Sequence, residues 1–312
     1  MKIGVFDSGL GGLAILREIF RALPEHDYVY LGDNARVPYG GRSPEIIYQF
    51  TEKAVDFLFK KQDCALVIIA CSTATAVALR RIQREYLPKL QARPVGKFSG
   101  RACKRVLGVI RPTVEAVVES NCFRNIQHPT SPIKSGILTS TEGRRKTRGA
   151  SKSKIGVIAT RATVKSRVFV KELKKLAPKI KVYQKACPLL VPIIEEGETK
   201  WKGLDLILEK YLSVLKHKNI DSLILGCTHY GLIAGKIKKI MGENVTVISQ
   251  GKVVAEKLKD YLKKHLEIEK QLSKKGKRAY FVTDLSKRYE KLAKMFLGKY
   301  FTKKDKLKLV KI

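Results

Sequence analysis

Leu66-Val67-Ile68-Ile69-Ala70-Cys71-Ser72-Thr73-Ala74-Thr75 is an apolar run that stops at a small residue, a thiol and two hydroxyls. A run this short, ending abruptly and followed by a helical pattern from about Ala74, reads as a buried parallel strand feeding a helix. In open α/β sheets the C-terminal ends of such strands face the ligand crevice, so Cys71 stands where chemistry is done. A single cysteine could equally be a small buried hydrophobe. The balance shifts because the arrangement recurs: Ser222-Leu223-Ile224-Leu225-Gly226-Cys227-Thr228-His229-Tyr230 is again strand, small residue, thiol, hydroxyl, with a helical pattern from Leu232.

The repetition extends further. Lys2-Ile3-Gly4-Val5 opens the chain and Lys154-Ile155-Gly156-Val157 restarts it; Cys71 lies 69 residues after Lys2, and Cys227 lies 73 after Lys154. The spacing predicts an α/β protein of two similar, pseudo-symmetric units with mainly parallel sheets, each offering a thiol at an equivalent strand end; if the units face each other, the thiols confront one another across a crevice. A length of 312 residues suffices for two cores.

Composition narrows the function. At 44% hydrophobic and 29% charged residues the chain is globular in type, with no apolar run long enough to span a bilayer. Asp7 interrupts the only short apolar stretch at the N-terminus, which argues against a signal peptide. The six cysteines form no C-x-x-C pair and no zinc spacing, so reduced thiols in a cytoplasm are expected and no metal site is. A net charge of +35 raises nucleic acid as a partner, but the lysines are spread over helix faces and no nucleic-acid motif accompanies them.

After the first strand, Asp7-Ser8-Gly9-Leu10-Gly11-Gly12 brings a carboxylate, a hydroxyl and close-approaching backbone to the start of a helix, Leu13 to Ala22. It lacks the spacing of a nucleotide loop. A second strand, Tyr28 to Leu31, leads to a polar loop through Tyr39 and Gly40, with Ser43 as N-cap and Pro44 opening the helix to about Lys61. Leu87 to Lys104 reads as a basic linker, and Asn125 to Ser153 as a mobile basic insertion. A strand at Arg105 to Ile110 is expected to start the second unit, a helix to run from Val164 to Leu176, and the last residues to form a lysine-rich tail.

Two thiols on opposite strand ends, without metal or redox spacing, suit inversion of a carbon acid: one removes a proton from one face and the other returns one to the opposite face. An unperturbed thiol needs about 2 kcal/mol to ionise at neutral pH, which neighbours can supply. Asp7 beside one thiol and His229 beside the other are the candidate proton partners.

Taken together, Phe6 to Gly12, Gly32 to Gly40, Ala70 to Ala74, Cys187-Pro188-Leu189 and Gly226 to Tyr230 resemble glutamate racemase, of the cofactor-independent aspartate/glutamate racemase superfamily. The resemblance implies two α/β domains, residues 1–104 with 231–312 and residues 105–230, with the active site between them and no cofactor. It implies that Cys71 acts on the D-isomer and Cys227 on the L-isomer of glutamate. Asp7, Ser8, Tyr39, Gly40, Ser72, Thr73, Thr228 and His229 match substrate-contact positions, and the D-glutamate made would feed peptidoglycan synthesis. The chain departs from the family pattern at Ser72, where asparagine is usual, at Gly231 and Arg111, and in its two basic insertions. Ser72 keeps aspartate or another amino acid open as substrate. A catalytically silent basic binding protein is the reading from another class, and homodimer formation is left open by the sequence.

Overall fold

The computed structural model describes residues 1–92, 103–127 and 153–312, the side chains of 121–127 excepted. Its strands are β1 (Lys2–Asp7), β2 (Tyr28–Gly32), β3 (Cys64–Ile69), β4 (Arg105–Gly108), β5 (Lys154–Ala159), β6 (Lys181–Ala186), β7 (Ser222–Leu225), β8 (Thr246–Ile248), β9 (Arg278–Val282) and β10 (Leu307–Leu309). They form two sheets, ordered β10-β9-β2-β1-β3-β4 and β6-β5-β7-β8, and every pairing is parallel.

Every residue of β3 is buried, because helices cover both faces of the sheet. Leu66 and Ile68 belong to the apolar cluster that includes the helix Leu13–Ala22, whereas Val67 and Ile69 pack with the helix Pro44–Lys60. Each such side chain contributes about 1.5–3 kcal/mol by leaving water. The start of Pro44–Lys60 is fixed as expected: Ser43 Oγ accepts from the Ile46 N–H at 3.4 Å, and Pro44 occupies the first position.

The repeat read from Lys-Ile-Gly-Val is a repeat of topology. Strands β2-β1-β3-β4 and β6-β5-β7-β8 have the same order, and in each the chain passes from the middle strand to one side and then to the other, creating a switch point at the strand ends. Phe6 is the register partner of Ile69, and Ile158 that of Leu225. Phe6 O accepts from Ala70 N at 2.7 Å and Ile158 O from Gly226 N at 2.8 Å. Cys71 and Cys227 are therefore each the next residue beyond equivalent last rungs.

Several expectations are corrected. Arg105–Gly108 does not start the second sheet; it pairs with β3 as the edge of the first. Conversely β8, at Thr246–Ile248, pairs with β7 in the second sheet instead of returning to the first. In both cases the strand lies beside the one that precedes it in the chain, β4 beside β3 and β8 beside β7. The linker expected from Leu87 begins as the helix Leu87–Ala92, which buries Leu87 and Leu90; it runs on from Ser72–Arg81 through the π-helical turn Ile82–Tyr86, and Pro88 follows directly after that wider turn. The helix expected from Val164 to Leu176 is two, Arg161–Ser166 and Val168–Leu176, broken at Arg167 with φ of 55°. The lysine-rich tail holds β10, too short and too interrupted by lysine to register as a strand in sequence. The expected basic insertion begins inside the helix Ile110–Gln127, and residues 93–102 and 128–152 lie outside the described residues.

Cys64, at the start of β3, supplies a test of the core. Burial pushes its thiol up to about 12 from an ordinary 9. The unfolded chain therefore releases this proton first, and stability is lost as pH rises from 9 towards 12. Denaturant titrations are expected to show wild type losing about 1.4 kcal/mol per pH unit more than Cys64→Ala across that window. Equal slopes for the two proteins would refute the assignment.

Candidate active site

The strand ends β1, β3, β5 and β7 surround a cavity of about 180 Å³. Both thiols line it: Cys71 and Cys227 are each more than nine-tenths buried. Ser8, Tyr39, Gly40, Ser72, Thr73, Thr228 and His229 are also in its walls. Of the residues singled out in the sequence, Asp7 alone is not; it lies fully buried behind the wall. The volume fits a small metabolite, well below the size of a drug-like pocket.

The two thiols have unlike surroundings. Cys71 caps the helix Ser72–Arg81: Sγ accepts from Ala74 N at 3.4 Å and meets Ser8 Oγ at 3.2 Å. Burial, reinforced by the Asp7 carboxylate, nevertheless pushes its thiol up to about 12, so at neutral pH Cys71 is protonated. Cys227 enters the 3-10 turn Thr228–Ile233, and its Sγ lies 3.8 Å from His229 Nδ1. His229 Nε2 in turn meets Glu195 Oε1 at 3.0 Å. Burial pulls the proton affinity of His229 down, but the hydrogen bonds to Cys227 and Glu195 outweigh it and hold the imidazole well above its usual range.

Asp7 is held near these groups by Gly9 N, which donates to Oδ2 at 3.0 Å, while Oδ1 is buried with no partner among the described residues. Burial raises its carboxyl above the ordinary range against the pull of His229. The glycines expected to allow a tight turn have a sharper purpose. A Cβ on Gly11 would collide with the His229 ring and stand 2.5 Å from Thr228 Oγ1; one on Gly12 would stand 2.5 Å from Asp7 Cβ.

The polar loop after β2 is tied down by Asp33, whose Oδ2 accepts from Tyr39 OH at 2.5 Å and whose Oδ1 accepts from Thr283 Oγ1 at 2.8 Å. Gly40 then abuts Thr160 from the other sheet, so closely that a Cβ there would stand 2.8 Å from Thr160 Cβ. Thr73 Oγ1 bridges the same divide, 2.9 Å from Thr160 Oγ1 and 3.3 Å from Thr163 Oγ1. Ser72 Oγ donates to Gln250 Oε1 at 2.9 Å, which spends its one proton and leaves its lone pairs for other donors.

Sequence reasoning missed Glu195, Thr160, Thr163 and the third cavity cysteine, Cys187. The Thr160-x-x-Thr163 spacing directly after β5, where Thr160 is the counterpart of Ser8 after β1, was the signal available for the threonines. Glu195, at the end of an otherwise apolar helix, carried none. Among the described residues no cluster of His, Cys, Asp and Glu could hold a metal ion, and no helix is long and apolar enough to cross a membrane.

No family model matches the chain. It is 34% identical to the glutamate racemase of Sulfurihydrogenibium sp. over 98% of each chain, and 37% identical to that of Aquifex aeolicus, covering 96% of this chain and 94% of that protein. Among solved structures, that of glutamate racemase from Francisella tularensis in complex with D-glutamate superposes with a TM-score of 0.77 at 31% identity, covering 99% of this chain and 97% of that one.

Proposed function

The chain belongs to the glutamate racemases, and we propose that it interconverts L- and D-glutamate by passing the Cα proton between Cys71 and Cys227. The observation that carries this reading is the pair of thiols at equivalent strand ends, both in the wall of one small cavity. From L-glutamate, the Cys227 thiolate takes the proton from Cα, and the electron pair left there is delocalised into the carboxylate. The Cys71 thiol then protonates the opposite face, giving D-glutamate. The cysteines end with their protonation states exchanged, ready for the reverse reaction.

The unlike environments supply these starting states. Cys71 rests as a thiol because burial opposes its charge, whereas imidazolium at His229, oriented by Glu195, stabilises the thiolate of Cys227. Asp7, with an unpartnered oxygen and a raised carboxyl, is the matching proton partner for the Cys71 side in the D-to-L direction. Ser8, Tyr39, Gly40, Ser72, Thr73, Thr228 and His229 bind and orient the substrate. The 1–104 with 231–312 and 105–230 division is replaced in this proposal by units built on the two sheets, with the cleft between them. Supply of D-glutamate to peptidoglycan, a cytoplasmic setting and a homodimeric state complete the reading.

The test is isotopic. Incubated with L-glutamate in heavy water under reducing conditions, the protein is expected to introduce one deuterium at Cα as optical rotation is lost. Absence of exchange would overturn the proposal. Exchange and inversion with aspartate but not glutamate would move the substrate assignment.

A further inference from the structure

Glu195 meets His229, yet it stands at the last position of a helix of only six residues, Leu190–Glu195, which also places Val191 and Pro192 in the wall of the catalytic cavity. The helix closes in a left-handed turn at Gly197, φ 82°, with Ile193 O and Ile194 O accepting from the N–H groups of Glu198 and Gly197, each at 3.0 Å. Those bonds leave out the carbonyl of Glu195 itself. It accepts from a side chain, Arg288 Nη2, at 3.2 Å, and the same nitrogen meets Glu196 Oε1 at 2.7 Å. No basic residue lies in the last turn of Leu190–Glu195, so Arg288 supplies the cation that a helix C-terminus favours.

Arg288 comes from the other unit. It lies in the first turn of the helix Lys287–Leu297, which follows β9 of the first sheet, whereas Leu190–Glu195 follows β6 of the second. The segment leading into its helix is firmly mounted: Asn34 Nδ2 donates to Asp284 O at 2.6 Å, and Asn34 Oδ1 accepts from Thr283 N at 3.1 Å and Asp284 N at 3.2 Å. Further along the same helix Phe296 stands edge-on to the His229 ring, and its carbonyl accepts from Arg17 at 3.3 Å. One helix of the first unit thus touches the imidazole directly and also holds the residue that orients it. Arg288 and Glu196 are 49% and 62% exposed, so their ion pair adds little stability and its consequence is positional.

We propose that Arg288 is a positioning residue for the Cys227 half of the reaction, holding Glu195 against His229 from the other unit. The inference rests on the racemase reading for its chemistry. His229 keeps its ring beside Cys227 Sγ through a contact between units that Cys71 does not need, since the partners of Cys71, Ser8 Oγ and Ala74 N, both follow strands of its own sheet.

The first test does not involve catalysis, so its failure stays separate from failure of the racemase reading. In the full chain at neutral pH, the ring-nitrogen NMR resonances of His229, assigned by their loss in His229→Ala, are expected to move in Arg288→Ala and to return in Arg288→Lys. The second is isotopic. In a Cys71→Ser background, where Cys227 alone acts, Arg288→Ala is expected to slow deuterium exchange into L-glutamate about tenfold. In a Cys227→Ser background the same substitution is expected to leave exchange into D-glutamate unchanged. Unmoved resonances would overturn the proposal, as would exchange slowed alike in both backgrounds, which is what a general loosening of the fold produces. Resonances that move while both exchange rates hold would overturn the effect on Cys227. Exchange absent from both parent variants would count against the racemase reading, with the resonances still deciding whether Arg288 positions His229.

Discussion

Cys71→Ser and Cys227→Ser are each expected to lower racemisation by about 10³–10⁴-fold, the upper range of what a positioned acid or base supplies. A serine hydroxyl is too weak an acid to shuttle the proton at neutral pH, while its size leaves the cavity intact. The informative readout is what survives. With Cys71 replaced, Cys227 still faces Cα of L-glutamate and is expected to exchange that hydrogen for deuterium without inversion. With Cys227 replaced, the same residual exchange is expected from D-glutamate alone. Equal washout from both enantiomers in either variant would mean that a single base serves both faces, and the two-thiol mechanism would fail.

Gly11→Ala is expected to reduce kcat/KM by about 10²-fold, the cost of displacing a reacting group by roughly 1 Å. The new methyl would fall on the His229 ring and within 2.5 Å of Thr228 Oγ1. His229 cannot yield freely, since Nε2 is tied to Glu195 and the ring is edge-on to Phe296 at 5.7 Å between centroids. Gly235→Ala, where a Cβ meets nothing within 4 Å, is the control and is expected to retain wild-type rates. Matched losses in both variants would mean that the Gly11 effect is general destabilisation.

Much of this site was legible in the chain because its signals are local. An apolar run cut short by Ala70-Cys71 or Gly226-Cys227 announces a strand end, and Ser43-Pro44 announces a helix start. What escaped depends on contacts between distant segments. Whether Arg105–Gly108 joins one sheet or the other is decided by the crossover that delivers it to β3, not by its own four residues. Glu195 becomes functional only when the turn after Cys227 brings His229 to it. Asp7 was legible as a residue of the site but not as one behind the wall, because depth is set by how Gly11 and Gly12 let the segment sink.

The chemistry joins mirror-image molecules of equal free energy, yet Cys71 opens a full helix while Cys227 opens a 3-10 turn beside an imidazole. Thermodynamics forbids that lopsidedness from favouring either product. It must cancel in the quotient of forward and reverse kcat/KM, and can surface only as a trade: the enantiomer held more tightly is turned over more slowly, by the same factor.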